Sequence, residues 1–142
     1  MSDMALIGRL HPMLVHFPIG LVLFAAVAEA VATTTHHRAW RTVAVTNVRV
    51  GAAFSIGAAF AGWRLSSSPG MEATSSLEWH QWLGTIAAVA VFATALATAG
   101  ADARSRFGVW VYRTLLFWAA ALIALTGHLG GLLVWGADFL RP

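Results

Sequence analysis

Four long apolar segments, separated by short polar stretches, make up most of this chain. They run from about 10 to 31, 43 to 65, 79 to 99 and 109 to 135. Each is close to the length of about 20 residues that a helix needs to cross the hydrocarbon core of a bilayer. Because the connections are short, consecutive helices should lie antiparallel. The pattern predicts an all-α integral membrane protein, an up-and-down four-helix bundle that forms a single domain over residues 1–142.

Composition agrees with this prediction and excludes several classes of protein. The chain is 58% hydrophobic and only 11% charged, so it cannot build an ordinary water-soluble surface. Its basic residues are all arginine and are spread among the loops, which does not favour a nucleic-acid partner. There is no cysteine, so disulfides and covalent haem attachment are excluded. The expected partner is the lipid bilayer, and any haem would have to be held non-covalently.

The distribution of arginines predicts the orientation in the membrane. The first loop carries Arg38 and Arg41, and the third carries Arg104 and Arg106. Arginine-rich short loops mark the cytoplasmic side, so both termini should face the other side. We therefore expect a bacterial inner-membrane protein with both termini in the periplasm. Tryptophans near the ends of the segments agree with an outer belt of Trp63, Trp79, Trp82 and Trp135 and an inner interface at Trp40 and Trp110.

Four of the six histidines fall near the outer ends of the predicted helices. His16 lies roughly 9 Å along its helix from the start, and His128 lies roughly 10 Å before Trp135, so their depths match. Imidazoles that converge at one level of a bundle can bind a haem iron, and polar groups below the headgroups are commonly functional. We predict His16 and His128 as axial ligands. His11 and His80, which are shallower, would be a second ligand pair or partners of the propionates. For any one of them the alternative is a hydrogen-bonded packing residue.

Neighbouring residues favour haem over a bare ion. Gly130 and Gly131, close to His128, would let a flat macrocycle approach the backbone. The apolar walls would be Phe17, Phe60 and Trp82, and the arginines suited to propionates are Arg9, Arg64 and Arg141. The alternative role for the glycines is close helix packing. The alternative role for the arginines is to extend along the apolar surface and place the charged group at the membrane interface. One haem b is favoured over two, because His11 and His16 are only about 7.5 Å apart along one helix.

Three segments carry a resemblance to a known family. Residues 10–20 read Leu-His-Pro-Met-Leu-Val-His-Phe-Pro-Ile-Gly, residues 80–84 read His-Gln-Trp-Leu-Gly, and residues 126–131 read Thr-Gly-His-Leu-Gly-Gly. Together they resemble the bacterial membrane family known as domain of unknown function 2231. The resemblance covers nearly the whole chain. It implies a four-helix membrane domain, often encoded beside or fused to c-type cytochrome domains and redox enzymes.

These observations lead to one functional hypothesis and two alternatives. The first is a b-type cytochrome subunit that relays electrons at the periplasmic face of a larger complex, with a c-type cytochrome or another redox subunit as partner and no substrate chemistry of its own. The second is a structural subunit that docks a partner complex without haem. The third is an outer-face copper or zinc site, to which Glu72, Glu78 or Asp138 would add a carboxylate.

Overall fold

The computed structural model describes residues 3–102, 105–136 and 138 and shows a helical bundle. Its helices are α1 (Asp3–Arg9), α2 (His11–Leu14), α3 (His16–Thr35), α4 (Arg38–Ser66), α5 (Ser75–Asp102) and α6 (Arg106–Trp135). Within these described ranges the structure contains no strand. Arg104 and Arg141, which the sequence analysis used, lie outside the described residues.

Four of the helical segments are long and apolar enough to cross a membrane: Leu6–Thr35, Arg38–Ser66, Ser75–Gly100 and Arg106–Trp135. Helices α3, α4, α5 and α6 pack in a ring in chain order, and α3 closes the ring against α6. This confirms the predicted all-α, four-helix membrane bundle. The helices extend beyond most of the predicted spans because their polar ends continue the same backbone hydrogen bonding.

Small residues fill the centre of the bundle. Alanines from all four long helices are buried there beside Val22, Val48, Val91 and Leu116. At one helix crossing, a Cβ added to Gly108 would lie 2.7 Å from the Gly100 backbone carbon, so α5 and α6 touch through their backbones. Close approach through small side chains is the usual packing of membrane helices.

The N-terminal segment is nearly one helix, but it is interrupted at Leu10 and Val15. Pro12 and Pro18 explain the interruptions, because proline has no backbone N–H and its ring clashes with the preceding turn. The segment before Leu10 lies along the end of α4, where a Cβ at Gly8 would come within 2.9 Å of the Leu65 backbone nitrogen. Helix α1 is therefore held against α4 by close backbone contact.

The two ends of the bundle differ in chemistry. His11 and His80 lie at one end, which we call the histidine end. At the opposite end, which we call the arginine end, α3 stops at Thr35 and α4 begins at Arg38. The turn between them is made by His36 in the left-handed conformation, with φ 59°, a common way for a helix to terminate.

Candidate metal site at the histidine end

His11 projects from α2 onto a flat face of α4. Its Nδ1 lies 2.8 Å from the Ala58 carbonyl oxygen, and a carbonyl can only accept, so Nδ1 donates. The ring then covers Gly62, one turn further along, where an added Cβ would lie 2.9 Å from His11 Cε1. With the proton on Nδ1, the lone pair of the neutral ring is on Nε2, which is the arrangement that metal-binding histidines adopt.

His80 projects from α5 onto a matching face of α6. The backbone of Thr126 interacts with its ring. A Cβ at Gly130, one turn further along, would lie 3.0 Å from His80 Cε1. Both rings therefore contact two residues four positions apart on the neighbouring helix. For His11 these are Ala58 and Gly62, and for His80 they are Thr126 and Gly130. Gly130 was predicted for a different reason, as room for a flat macrocycle, whereas Ala58, Gly62 and Thr126 were not predicted as site residues. Small residues spaced by four were the signal that could have found them.

The two rings meet each other across the bundle. Their centroids are 6.2 Å apart, and their planes are 81° apart, edge to face. Two atoms here, His80 Nδ1 and Thr126 Oγ1, are buried with no hydrogen-bond partner in the described part of the chain. Buried polar atoms are nearly always paired in folded proteins, so these two require a partner such as an ion or a water.

The separation of the rings suits one metal ion. Two metal–nitrogen bonds of about 2.0–2.1 Å, plus roughly 1.1 Å from each nitrogen to its ring centre, span about 6.3 Å when both nitrogens point at the same ion from opposite sides. An imidazole binds a metal in its own plane, so one of the two edge-to-face rings has to turn before both nitrogens reach that ion. A haem between the same rings would also need a slot as wide as its macrocycle. A cavity of about 290 Å³ lies beside Arg9, Leu65 and the turn at 68–71, and neither His11 nor His80 lines it.

His16 and His128 occupy a different place. Both are exposed on the surface of the bundle. They lie on neighbouring helices at a similar level, since a Cβ at Gly127 would meet Ile19 Cδ1 at 3.3 Å. His16 Nδ1 lies 2.6 Å from the Pro12 carbonyl oxygen and so donates to it, which leaves Nε2 as the free ligand atom. Their predicted role as axial ligands stays a prediction, while the rings that the structure brings together are those of His11 and His80.

The other predicted site residues surround the pair without joining it. Arg9 is exposed, Arg64 lies over the Phe60 ring at 5.6 Å, and the space around a Cβ at Gly131 is open to 4 Å among the described residues. Glu72, Glu78 and Asp138 are exposed. Within residues 3–102, 105–136 and 138, no three histidine or acidic side chains come together in a group that could hold a metal ion.

The side chains predicted as the apolar walls of a haem site are also exposed. Phe17 stacks on Phe54, with ring centroids 4.5 Å apart, and Trp82 packs edge-on against Trp63. The site is therefore a pair of imidazoles.

Comparison with known families agrees with the architecture. The sequence model of the family described as "Predicted membrane protein (DUF2231)" matches residues 9–139. The chain therefore belongs to the family known as domain of unknown function 2231. No curated protein and no solved structure matches it.

Proposed function

We propose that this member of the domain of unknown function 2231 family holds a copper ion between His11 and His80 and relays electrons through it. The observation that carries the proposal is the contact between these two rings, whose centroids are 6.2 Å apart. One ring comes from α2 and the other from α5, and each ring packs against a glycine. Imidazole is a good ligand for copper, and copper binds nitrogen ligands most tightly among the common divalent metals. Zinc would suit the same atoms but has no redox chemistry.

The proposed relay moves one electron at a time. His11 and His80 would hold the ion, and a bound copper ion would supply one-electron chemistry, accepting an electron from a donor protein and passing it to an acceptor protein. No proton or covalent bond is exchanged, so the chain needs no substrate of its own. The arginine-bearing loop at 36–41 favours a cytoplasmic location for the arginine end. The copper site would then face the periplasm of a bacterial inner membrane, where a c-type cytochrome or another redox subunit is the proposed partner.

A haem bound at the surface is the second candidate, and it rests on His16. That ring is anchored through Nδ1 at 2.6 Å from the Pro12 carbonyl oxygen and is exposed, as is His128. A haem b held by His16 and His128 would lie outside the bundle, where a partner subunit would cover it. Open space around Gly131 on the same helix is compatible with this position.

Metal analysis and an optical spectrum of the purified full-length protein test both candidates. The copper proposal predicts about one copper ion per chain after loading and no b-type band in the reduced-minus-oxidised spectrum. A b-type band, with pigment that leaves on acid-acetone extraction, would favour the haem candidate. Protein that binds neither copper nor haem would overturn both and favour a docking subunit, and zinc in place of copper would overturn the electron relay.

A further inference from the structure

A small cavity at the arginine end has no part in the proposed copper site. Its volume is about 170 Å³ and its lining combines the end of α3, the turn, the start of α4 and α6: Ala32, His36, His37, Arg38, Arg41 and Arg113. We call it the arginine cavity. It is smaller than the pockets of about 300–1,000 Å³ that hold drug-sized ligands, so it suits a small group.

One buried carboxylate holds two of these arginines in place. Glu29 on α3 is fully buried, with 0% of its side chain exposed. Arg41 reaches its Oε1 through Nη2 at 2.9 Å, and Arg113 reaches the same atom through Nε at 2.8 Å. The two guanidinium groups are therefore fixed before any ligand arrives.

The charges in the cavity do not balance. Among the described side chains, three guanidinium groups line the cavity and Glu29 supplies one negative charge against them, which leaves an excess of two positive charges among these residues. Arginine carries its charge at every physiological pH, so this excess cannot be removed by losing protons. The first turn of α4 borders the same space and adds a partial positive charge. An anion is the ligand that this arrangement favours.

The position of the cavity indicates the kind of anion. One spanning segment ends here at Thr35, and the next begins here at Arg38. The cavity therefore lies at the boundary between the hydrocarbon core and the headgroups. Trp40 and Trp110, both exposed, lie near the same ends of their helices, as tryptophans at a membrane interface do. Phosphate groups are the anions of this layer, and planar guanidinium groups bind phosphate oxygens in pairs.

We propose that the arginine cavity is a binding site for a phosphate group, supplied by the headgroup of an anionic phospholipid or by free inorganic phosphate. Arg38 is the residue to test, because Glu29 is held by Arg41 and Arg113, whereas Arg38 is exposed. Arg38→Gln should therefore leave the bundle folded. Arg106→Gln is the matched control, since Arg106 is an exposed arginine at the same end that does not line the cavity.

Native mass spectrometry of the delipidated full-length protein with phosphatidylglycerol measures the affinity directly. Arg38→Gln should weaken phosphatidylglycerol binding by about fivefold, the effect of roughly one arginine charge at an anionic lipid surface. Arg38→Lys should restore most of the affinity, and Arg106→Gln should not change it. Thermal unfolding in detergent checks that each variant is folded.

Adding inorganic phosphate distinguishes the two sources. If millimolar phosphate does not displace phosphatidylglycerol, the lipid headgroup is the ligand; if it does so in the wild type but not in Arg38→Gln, free phosphate is a ligand of the same site. Equal weakening by Arg38→Gln and Arg106→Gln would overturn the proposal, because the effect would then be a general surface attraction. Unchanged binding in both variants would overturn it as well.

Discussion

Replacing Gly62 by alanine should weaken copper binding without unfolding the bundle. The new Cβ would lie 2.9 Å from His11 Cε1, whereas carbon atoms prefer a separation of about 3.5–4.0 Å. The ring must therefore move by at least about 0.6 Å. A displacement of this size strains the 2.8 Å hydrogen bond from His11 Nδ1 to the Ala58 carbonyl oxygen, since such bonds weaken beyond about 3.2 Å.

The size of the effect follows from the role of that hydrogen bond. Losing an outer partner that orients a metal ligand typically reduces metal affinity by roughly 10–100-fold, and we expect Gly62→Ala to fall in this range. Overpacking a well-filled site costs about 1–3 kcal/mol, and alanine regains about 1 kcal/mol over glycine within a helix. The free energy of unfolding should thus fall by no more than about 2 kcal/mol.

Gly57→Ala on the same helix is the matched control, because a Cβ there meets nothing within 4 Å among the described residues. Copper titration against a chromophoric chelator measures affinity, and thermal unfolding in detergent measures stability. Gly57→Ala should keep the wild-type copper affinity. Equal copper affinity in Gly62→Ala and Gly57→Ala, whether both keep the wild-type value or both lose affinity, would show that the position of the His11 ring on Gly62 does not control copper binding. The same comparison on α6 pairs Gly130→Ala, with 3.0 Å to His80 Cε1, with Gly131→Ala as its control.

Two further predictions concern the buried ion pair at the arginine end and the orientation of the chain in the membrane. Arg113→Gln removes one of the two arginines that bind the buried Glu29 carboxylate, and breaking such a pair costs up to about 3–5 kcal/mol. Thermal unfolding should show a clear loss of stability that Arg106→Gln does not cause, and equal melting temperatures for the two variants would contradict the buried pair. Reporter fusions placed after Arg41 and after Pro142 should report the cytoplasm and the periplasm respectively, whereas the same compartment for both would contradict the four-span topology.

Much of the fold was predictable because a bilayer imposes a simple length requirement on apolar helices. The four spans lie within the observed helices α3 to α6 and the short helices before them. The packing of residues before His11 was not predictable. The contact between Gly8 and the Leu65 backbone depends on the breaks near Leu10 and Val15, and proline patterns predict that a helix bends without giving its direction.

The sequence predicts how deep the site histidines lie along their helices, but not how each helix is rotated about its own axis. Counting helical rise places histidines at one end of the bundle, and rings from that set do meet there. Which rings face inward depends on how each helix is turned about its axis, and a helix that is apolar nearly all round gives no such signal. The same reasoning applies to the arginine end, where Arg41 and Arg113 meet at Glu29 while Arg49 donates to Thr98 Oγ1 at 3.0 Å.

Copper titration of four single variants asks whether His11 and His80 are the copper ligands. The variants are His11→Ala, His80→Ala, His16→Ala and His128→Ala, each purified as the full-length chain and checked for folding by thermal unfolding. We expect His11→Ala and His80→Ala each to lose more than about 100-fold in copper affinity, because removing a ligand should exceed the effect of an outer partner. His16→Ala and His128→Ala should bind copper as the wild type does. Loss of copper from His16→Ala and His128→Ala, with wild-type binding in His11→Ala and His80→Ala, would show that His11 and His80 do not hold the ion.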